Sequence, residues 1–258
     1  MVDLYLEPIL RPYVPDSLVG KVALVTGASR GIGAQIAADF SKAGTDVVIN
    51  YRSKGERAEE VASAIRAAGK NALPIQADLT NEAEVAEMMS AANAQFGGLD
   101  YLILNASGGL EKGKSENYSL LLNCTAQVNT LKLAIPFLRP SARVVFVTSH
   151  LAHFYGVKPV YPAYEPVAIG KNAGERALLQ RVPELTARSI SLIVVSGDMI
   201  DGTITPKLLN RQNRGIIDSR KSAAGRLPTV DEFAKSIVDA AADESLPTGQ
   251  IVLVGAAD

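Results

Sequence analysis

Three glycines near the N-terminal end have a spacing that suits anion binding. Gly27, Gly31 and Gly33 lie between a short apolar run at 22–25 and an amphipathic stretch at 34–43. This order predicts a buried strand, a glycine turn and a helix. The first N–H groups of a helix are unpaired and carry partial positive charge, and glycine lets a pyrophosphate approach the backbone. The spacing is Gly-x-x-x-Gly-x-Gly rather than Gly-x-Gly-x-x-Gly, so the strand-turn-helix context carries the prediction.

Short apolar, β-rich runs alternate with helix-length amphipathic stretches along the rest of the chain. Strands are expected at 22–25, 46–50, 72–77, 101–104, 143–148, 190–195 and 251–254, and helices at 34–43, 56–68, 82–96, 119–138, 166–181 and 231–242. Such alternation predicts a single α/β doubly wound (Rossmann) domain over 21–258, with about seven parallel strands and helices on both faces. The least regular stretch, 196–228, is expected to form a substrate lid beyond the strand ends.

Residues 1–20 are expected to form an N-terminal arm. Pro8, Pro12 and Pro15 stand among apolar side chains, which favours an extended segment over a helix. The arm either straps its own subunit or reaches a neighbouring one, and the sequence leaves both alternatives open.

Composition narrows the class of protein. The chain has 258 residues, 47% of them hydrophobic, and a net charge of −1, which disfavours nucleic acid as a partner. The single cysteine, Cys124, cannot form an internal disulfide, and no signal-like segment or membrane-length apolar run is present, so a cytoplasmic location and no membrane contact are expected. Two histidines and one cysteine supply too few strong ligands for a metal site, so none is expected.

The string from Thr26 to Gly33, Thr-Gly-Ala-Ser-Arg-Gly-Ile-Gly, resembles the cofactor turn of the short-chain dehydrogenase/reductase family. The resemblance runs from about Lys21 to the C-terminus. It implies a nicotinamide-dependent oxidoreductase with a small-molecule substrate. The cofactor-binding residues that the resemblance and the strand ends indicate are Gly27, Ser29, Arg30, Gly31, Ile32, Gly33, Tyr51, Arg52, Ser53, Asp78, Leu79, Asn105, Ala106, Ser107, Lys171, Gly197 and Thr203.

The end of the second strand bears on cofactor choice. An acidic residue there would bind the ribose 2′-hydroxyl and repel a 2′-phosphate, but this chain has Asn50-Tyr51-Arg52-Ser53. Arg52, with Arg30 of the glycine turn, can clamp a phosphate, so NADP(H) is the expected cofactor. The alternative is that both arginines are only solvated.

Two further strand ends have a structural alternative beside the cofactor role. Asp78-Leu79 looks like the family's adenine-binding aspartate, and Asn105-Ala106 like the start of its Asn-Ala-Gly, with Ser107 in place of the glycine. Asp78 is otherwise a helix cap and Asn105 a turn residue.

In the family, catalysis depends on an asparagine, a serine, a tyrosine and a lysine. Ser149 matches the serine. Counting back from Pro136 places Asn123 at the asparagine, with Asn129 as a competing candidate at weaker register.

The tyrosine and lysine depart from the family norm of Tyr-x-x-x-Lys. The tyrosine nearest before Lys171 is Tyr164, which gives Tyr-x6-Lys, a spacing shared with a divergent branch that includes enoyl-acyl-carrier-protein reductases. Pro166 favours a helix start there, so Tyr164 is expected just before the first turn. Tyr155 and Tyr161 remain rivals.

These residue types suit protonation of an oxyanion formed by hydride transfer. Lys171 is expected to lower the phenol pKa and, as the resemblance implies, to hold the nicotinamide ribose. Ser149 would hydrogen-bond the substrate oxygen, and Asn123 would support a water path to Lys171. His150 and His153 are expected to line the pocket rather than to transfer protons. Ser196 stands where the family usually has the proline of Pro-Gly, which loosens the backbone near the nicotinamide.

The leading interpretation is an NADP(H)-dependent enzyme that transfers hydride between nicotinamide and a carbonyl or alcohol. A C=C (enoyl) reductase and a cofactor-binding protein without turnover are the alternatives. A homo-oligomer, tetramer or dimer, is expected, with the helices at 119–138 and 166–181 supplying apolar interface stripes.

Overall fold

A seven-stranded parallel sheet forms the centre of the part of the chain that the structure describes. The computed structural model describes residues 10–111, 113, 115 and 117–256. The strand order is β3-β2-β1-β4-β5-β6-β7, and every pairing is parallel. The strands are β1 Val22–Val25, β2 Asp46–Tyr51, β3 Ala72–Gln76, β4 Leu99–Leu104, β5 Leu138–Ser149, β6 Ser191–Gly197 and β7 Ile251–Val254. This confirms the predicted fold class.

Helices cover both faces of the sheet. They are α1 Gly31–Lys42, α2 Gly55–Ala67, α3 Glu82–Phe96, α4 Tyr118–Leu120, α5 Ala126–Ala134, α6 His150–His153, α7 Glu165–Leu179, α8 Val182–Ala187, α9 Ile204–Gln212, α10 Ile216–Ala224 and α11 Val230–Ala242. One face packs under α1, α2 and α11, and the other under α3, α5 and α7. The chain order reverses between β1 and β4, which is where ligands bind in sheets of this kind.

The predicted helix at 119–138 is wrong as a single element. A π-helical turn, Leu121–Thr125, joins α4 to α5, and α5 ends at Ala134. A 3-10 turn with Pro136 near its start follows, and Leu138 already belongs to β5, which is longer than the predicted 143–148. Proline suits the first turn of a helix and not its interior, so Pro136 begins the turn where the α-helical hydrogen bonds end.

The predicted helix at 166–181 is two helices. α7 ends at Leu179, and α8 starts at Val182 with Pro183 in its first turn. The first helix of the domain starts at Gly31, three residues before the prediction, because the glycine turn itself supplies the first helical turn.

The stretch expected to be irregular, 196–228, is largely ordered by secondary structure. Ser196 and Gly197 belong to β6, and α9 and α10 follow. Arg220 of α10 anchors the segment: its Nε lies 2.9 Å from Asp198 Oδ1, and its Nη2 donates to Ala256 O at 2.6 Å. These contacts join the proposed lid to the ends of β6 and β7.

Residues 10–20 lie along their own subunit. Leu10, Tyr13 and Leu18 pack against the core under α1 and α11. The backbone N–H of Tyr13 donates to Asp239 Oδ1 at 2.8 Å, and that of Arg11 donates to Asp243 Oδ2 at 3.1 Å. Residues 1–9 of the predicted arm lie outside the described residues.

Candidate active site

The glycine turn has the open backbone that an anion site needs. Gly27 and Gly31 have φ of +65° and +56°, a left-handed conformation that favours glycine. A Cβ on Gly33 would lie 2.5 Å from Gly27 O and 2.6 Å from Asn105 Nδ2, so only glycine fits there. Ser29 lies in the same turn, and, apart from Gly31's chain neighbours and its own helix backbone, no atom of the described residues lies within 4 Å of a Cβ built on Gly31. The turn therefore presents the N-terminus of α1 to an incoming group.

Two polar side chains that the sequence analysis did not assign to the site, Thr26 and Asn50, hold this turn together with Asn105. Thr26 is fully buried, and its Oγ1 accepts from the N–H groups of Asn105 and Ala106 at 2.9 and 3.0 Å. Asn50 Oδ1 accepts from Gly27 N at 3.1 Å, and Asn105 Nδ2 donates to Thr26 O at 2.9 Å. The available signal was a polar residue ending each of two apolar strands, since such a residue needs partners when buried.

The expected phosphate corner lies at the end of β2. Tyr51 is the last residue of β2, and Arg52 and Ser53 follow it, both exposed. Arg52 Nη1 donates to the hydroxyl of Tyr118, and its guanidinium lies 5.9 Å from the centre of that ring. Arg30 is exposed at the start of α1. Tyr118, which the sequence analysis did not single out, thus holds Arg52 above this end of the sheet.

Asp78 lies just after the end of β3 and stabilises the turn that follows the strand. Its Oδ1 accepts from Thr80 N and Oγ1 at 3.0 and 2.7 Å, while Asn81 caps α3. Asp78 is therefore a turn residue here rather than the helix cap. Leu79 is buried in the core under α3, so its side chain contributes packing.

Asn123 lies inside the π-helical turn and is 1% exposed. Its Nδ2 donates to Gly108 O at 2.8 Å and to Ser119 O at 2.9 Å, and its Oδ1 accepts from Ser107 Oγ at 2.8 Å. The π-helical turn presses the carbonyl of Asn123 against α7, where a Cβ on Gly174 would come within 2.2 Å of it. The competing candidate, Asn129, lies apart and donates to Glu82 Oε1 at 2.7 Å among exposed side chains.

Ser149, Tyr164 and Lys171 lie at the carboxyl end of β5. Ser149 is the last residue of the strand, and its Oγ is 3.0 Å from the Tyr164 hydroxyl. Tyr164 is 5% exposed and immediately precedes α7, as the position of Pro166 predicted. Lys171 is 8% exposed, and its Nζ donates to Val147 O at 3.0 Å. The seven-residue spacing therefore still brings tyrosine, serine and lysine to one strand end.

Burial dominates the pKa values of both Tyr164 and Lys171. Burial raises the pKa of Tyr164, and the hydrogen bond from Ser149 only partly opposes that rise. Burial also lowers the pKa of Lys171 to about 8, although the charge of Glu175 opposes this. Because both groups are buried, the charged form of each is disfavoured.

The two rival tyrosines differ from Tyr164 in their surroundings. The hydroxyl of Tyr155 donates to Glu165 Oε1 at 3.2 Å among exposed side chains. Tyr161 lies in the loop before α7 and lines the cavity described below. Of the three, Tyr164 is the one whose hydroxyl bonds to Ser149.

His150 takes part in a buried pair with the residue that replaces the family's proline. Its Nδ1 lies 2.9 Å from Ser196 Oγ, and Ser196 is fully buried. Burial lowers the pKa of His150 to about 4, so its imidazole is neutral at neutral pH. The hydrogen bond holds the Ser196 side chain against His150.

A cavity of about 750 Å³ opens at these strand ends. Its walls are mainly apolar, with Leu151, Phe154, Val167, Met199 and Leu209 among them. Predicted site residues that reach it are Arg30, Ile32, Asn105, Ser107, Ser149, Tyr164, Lys171, Gly197 and Thr203.

Gly197 and Thr203 lie on the lid side of this cavity. A Cβ on Gly197 would lie 2.6 Å from the Phe233 ring, and Thr203 Oγ1 donates to Ile200 O at 2.9 Å. The other predicted cofactor residues lie outside the cavity wall, in the glycine turn and along the ends of β2, β3 and β4.

Within residues 10–111, 113, 115 and 117–256, no group of three or more histidine, cysteine, aspartate or glutamate side chains is placed to hold a metal ion. In the same described part, no helix combines the length and apolarity of a membrane span.

Comparison with known proteins identifies the family. The family model described as short chain dehydrogenase matches residues 21–212. The chain belongs to the short-chain dehydrogenase/reductase family. A short chain dehydrogenase/reductase of Aspergillus novofumigatus is 32% identical over 202 residues, which cover 75% of this chain and 73% of the relative.

Other relatives match over shorter or longer stretches. A hydroxynaphthalene reductase-like protein of Metarhizium acridum is 37% identical over 150 residues, so the chain spans only about half, 56%, of that relative's length. Among solved structures, a short chain dehydrogenase from Burkholderia cenocepacia in complex with NADP superposes with a TM-score of 0.79 at 29% identity, covering 92% of this chain and 97% of that one. A variant of a Serratia marcescens short-chain dehydrogenase/reductase gives 0.80 at 28% identity, covering 92% and 98%.

Proposed function

We propose that this family member is an NADP(H)-dependent oxidoreductase that transfers hydride between the nicotinamide and a carbonyl or alcohol carbon. The observation that carries the proposal is the 3.0 Å contact between the Tyr164 hydroxyl and Ser149 Oγ in the wall of the cavity. Two hydroxyls that converge on one cavity can both bond a single substrate oxygen. Lys171, buried beside the same strand end, adds a positive charge.

The residues of this chain have distinct parts in the reaction. The cofactor, when bound, supplies or accepts the hydride. Ser149 donates a hydrogen bond to the substrate oxygen as charge develops there, and Tyr164 donates the proton that makes that oxygen a hydroxyl. Lys171 stabilises negative charge on the phenol once the proton has left, which offsets the cost of burying a phenolate. The apolar wall excludes water from the reacting atoms.

The cradle fits a dinucleotide on structural grounds. The glycine turn offers open backbone at the N-terminus of α1, and a side chain at Gly33 would fill it. Gly27, Gly31 and Gly33 would hold the pyrophosphate, Asp78 and Leu79 the adenine side, and Asn105, Ala106 and Lys171 the ribose next to the nicotinamide.

The 2′-phosphate would bind to Arg52, with Ser53 beside it, while Arg30 lies at the start of the cradle. No carboxylate follows β2 directly, which removes the repulsion that favours NAD(H). The Burkholderia cenocepacia relative was solved with NADP, which supports the same choice.

The cavity chemistry favours a carbonyl on an apolar body. Aromatic and aliphatic side chains dominate its walls, and Leu151, Phe154 and Met199 line the same cavity as the serine and the tyrosine. The Metarhizium acridum relative is named as hydroxynaphthalene reductase-like, and such a substrate has an apolar ring system.

Absorbance of NADPH tests the function: its loss is followed with ketones and enones of increasing apolar size, and its formation from NADP+ is followed with the corresponding alcohols. Turnover of ketones with NADPH is the expected result. Turnover of enones alone would overturn the proposal in favour of C=C reduction. Tight NADPH binding without turnover of any compound would favour a binding protein without catalysis.

A further inference from the structure

A buried histidine–carboxylate pair joins α6 to α7 one helical turn after Lys171, and the proposed reaction gives neither residue a role. His153 Nδ1 lies 2.6 Å from Glu175 Oε1, and the two side chains are 9% and 5% exposed. A carboxylate only accepts hydrogen bonds, so Nδ1 carries the hydrogen and donates it. Burying such a pair costs desolvation free energy, so a role in stability alone would be unfavourable.

Helix geometry directs this pair toward Lys171. Glu175 follows Lys171 by four residues on α7, so the two side chains leave the helix on the same face. Among the described residues, Glu175 Oε2 is buried without a hydrogen-bond partner, while Oε1 is held by His153. The negative charge on Oε2 is therefore not offset by a hydrogen bond from the described residues, and it can act on a nearby positive charge.

Helix α6, which carries His153, is held against α7 next to Lys171. Asn172 Nδ2 donates to Ala152 O at 2.9 Å, which ties α6 to the turn of α7 that follows Lys171. His153 also packs edge-on against Phe154, with ring centres 4.7 Å apart. The imidazole thus has little freedom, and it restrains the carboxylate that it bonds.

We propose that Glu175, held by His153, is a positioning residue that keeps the buried Lys171 in its ammonium form. The inference rests on the proposed function, in which that charge stabilises the phenolate of Tyr164. It is consistent with the direction in which the Glu175 charge moves the pKa of Lys171, which is upward against the effect of burial.

Other titratable groups do not supply the same effect. The elements packed against α7, and α7 itself, also carry titratable or charged groups: His150, His153, Cys124, Tyr118, Lys132, Arg139, Arg143, Tyr164, Glu165 and Arg176. Within the described part of the chain, the charge that raises the pKa of Lys171 against the effect of burial is that of Glu175.

The test is an NMR titration of the full chain carrying ¹³C at the lysine ε-carbon, with Lys171 assigned from the spectrum of Lys171→Met. Glu175→Gln keeps the volume and a hydrogen-bond acceptor for His153 but removes the charge. It should lower the midpoint of Lys171 by about one pH unit, whereas Glu175→Asp should keep most of the effect. Glu184→Gln, at a carboxylate 40% exposed beside Arg181, is the matched control and should leave the midpoint unchanged.

A second measurement uses the unsubstituted chain. In the unsubstituted chain, the carboxyl ¹³C resonance of Glu175 should show a step at the midpoint of Lys171, because the two charges interact. A midpoint unchanged in Glu175→Gln, equal shifts in the Gln and Asp variants, or no step at Glu175 would overturn the inference. Neither cofactor nor substrate is present, so failure here is distinct from failure of the proposed function.

Discussion

At the scale of single residues, the Tyr164 hydroxyl is the group that the proposed reaction needs most. Tyr164→Phe removes the proton donor but keeps the buried ring, so we expect kcat to fall about 10²- to 10⁴-fold with little change in NADPH affinity. Single-turnover NADPH oxidation and a fluorescence titration of cofactor binding measure the two quantities separately.

The matched control for that substitution is Tyr155→Phe. Tyr155 bonds to Glu165 at the surface, and its loss should leave turnover unchanged. If Tyr164→Phe retains full turnover while Tyr155→Phe loses it, the assignment of the proton donor is wrong.

Lys171 predicts an alkaline limit to activity. Burial lowers the pKa of its ammonium group to about 8, so the side chain is charged below that pH and becomes neutral as the pH rises through it. Because kcat/KM reports the ionisation of the free enzyme, it should fall above about pH 8 for the unsubstituted chain. Lys171→Arg stays charged over this range, and any activity that it retains should lack the fall. An equally steep fall in both proteins would contradict the prediction.

Arg52 carries the proposed cofactor preference. Arg52→Ala should weaken NADPH binding by about 2 kcal/mol, roughly 30-fold, because it removes a charge-assisted hydrogen bond, and it should change NADH binding little. Arg226→Ala, at an exposed arginine paired with Glu232, is the control for lost positive charge. Equal affinities of the unsubstituted chain for NADPH and NADH would refute the preference itself.

At the scale of elements, the strands, helices and turns that depend on local sequence pattern are the ones that could be predicted. The apolar runs of β1 and β2 and the glycine turn were placed to within a few residues, since periodicity and glycine positions are properties of the chain itself. The π-helical turn around Asn123 was not predicted, because it depends on how α7 packs against that segment. The early end of α5 was missed although Pro136 marks it in the sequence. The hydrogen bond between His150 and Ser196, two residues 46 positions apart, leaves no local signal either.

Gln127 is a buried polar residue that stabilises the site through hydrogen bonds to backbone carbonyls. It is fully buried on α5, and its Nε2 donates to Ala106 O at 3.0 Å and Leu122 O at 2.9 Å. Gln127→Leu leaves the buried carbonyl of Leu122 and the half-buried carbonyl of Ala106 without this donor, so we expect it to lower the free energy of unfolding by about 2 kcal/mol. Asn129→Ala, on the exposed face of the same helix, should change it far less, and urea unfolding of both variants measures the difference.

At the scale of the whole molecule, the same helices that hold the site present apolar side chains to solvent. Leu120, Leu121 and Ile169 are 43%, 40% and 42% exposed, and they lie on the packed segments α4, the π-helical turn and α7. A symmetric dimer or tetramer through this surface would bury them and would support the carbonyl of Asn123 and the turn that carries it.

We therefore expect light scattering to return a multiple of the 27.2 kDa chain mass at micromolar concentration. Leu121→Glu combined with Ile169→Glu should shift the mass toward the monomer, because like charges would face each other across a symmetric interface. Val157→Glu, at a side chain 82% exposed in the loop before α7, adds a charge outside these helices and should leave the mass unchanged. A monomer mass for the unsubstituted chain would refute the assembly, and an oligomer that survives the double substitution would place its interface elsewhere.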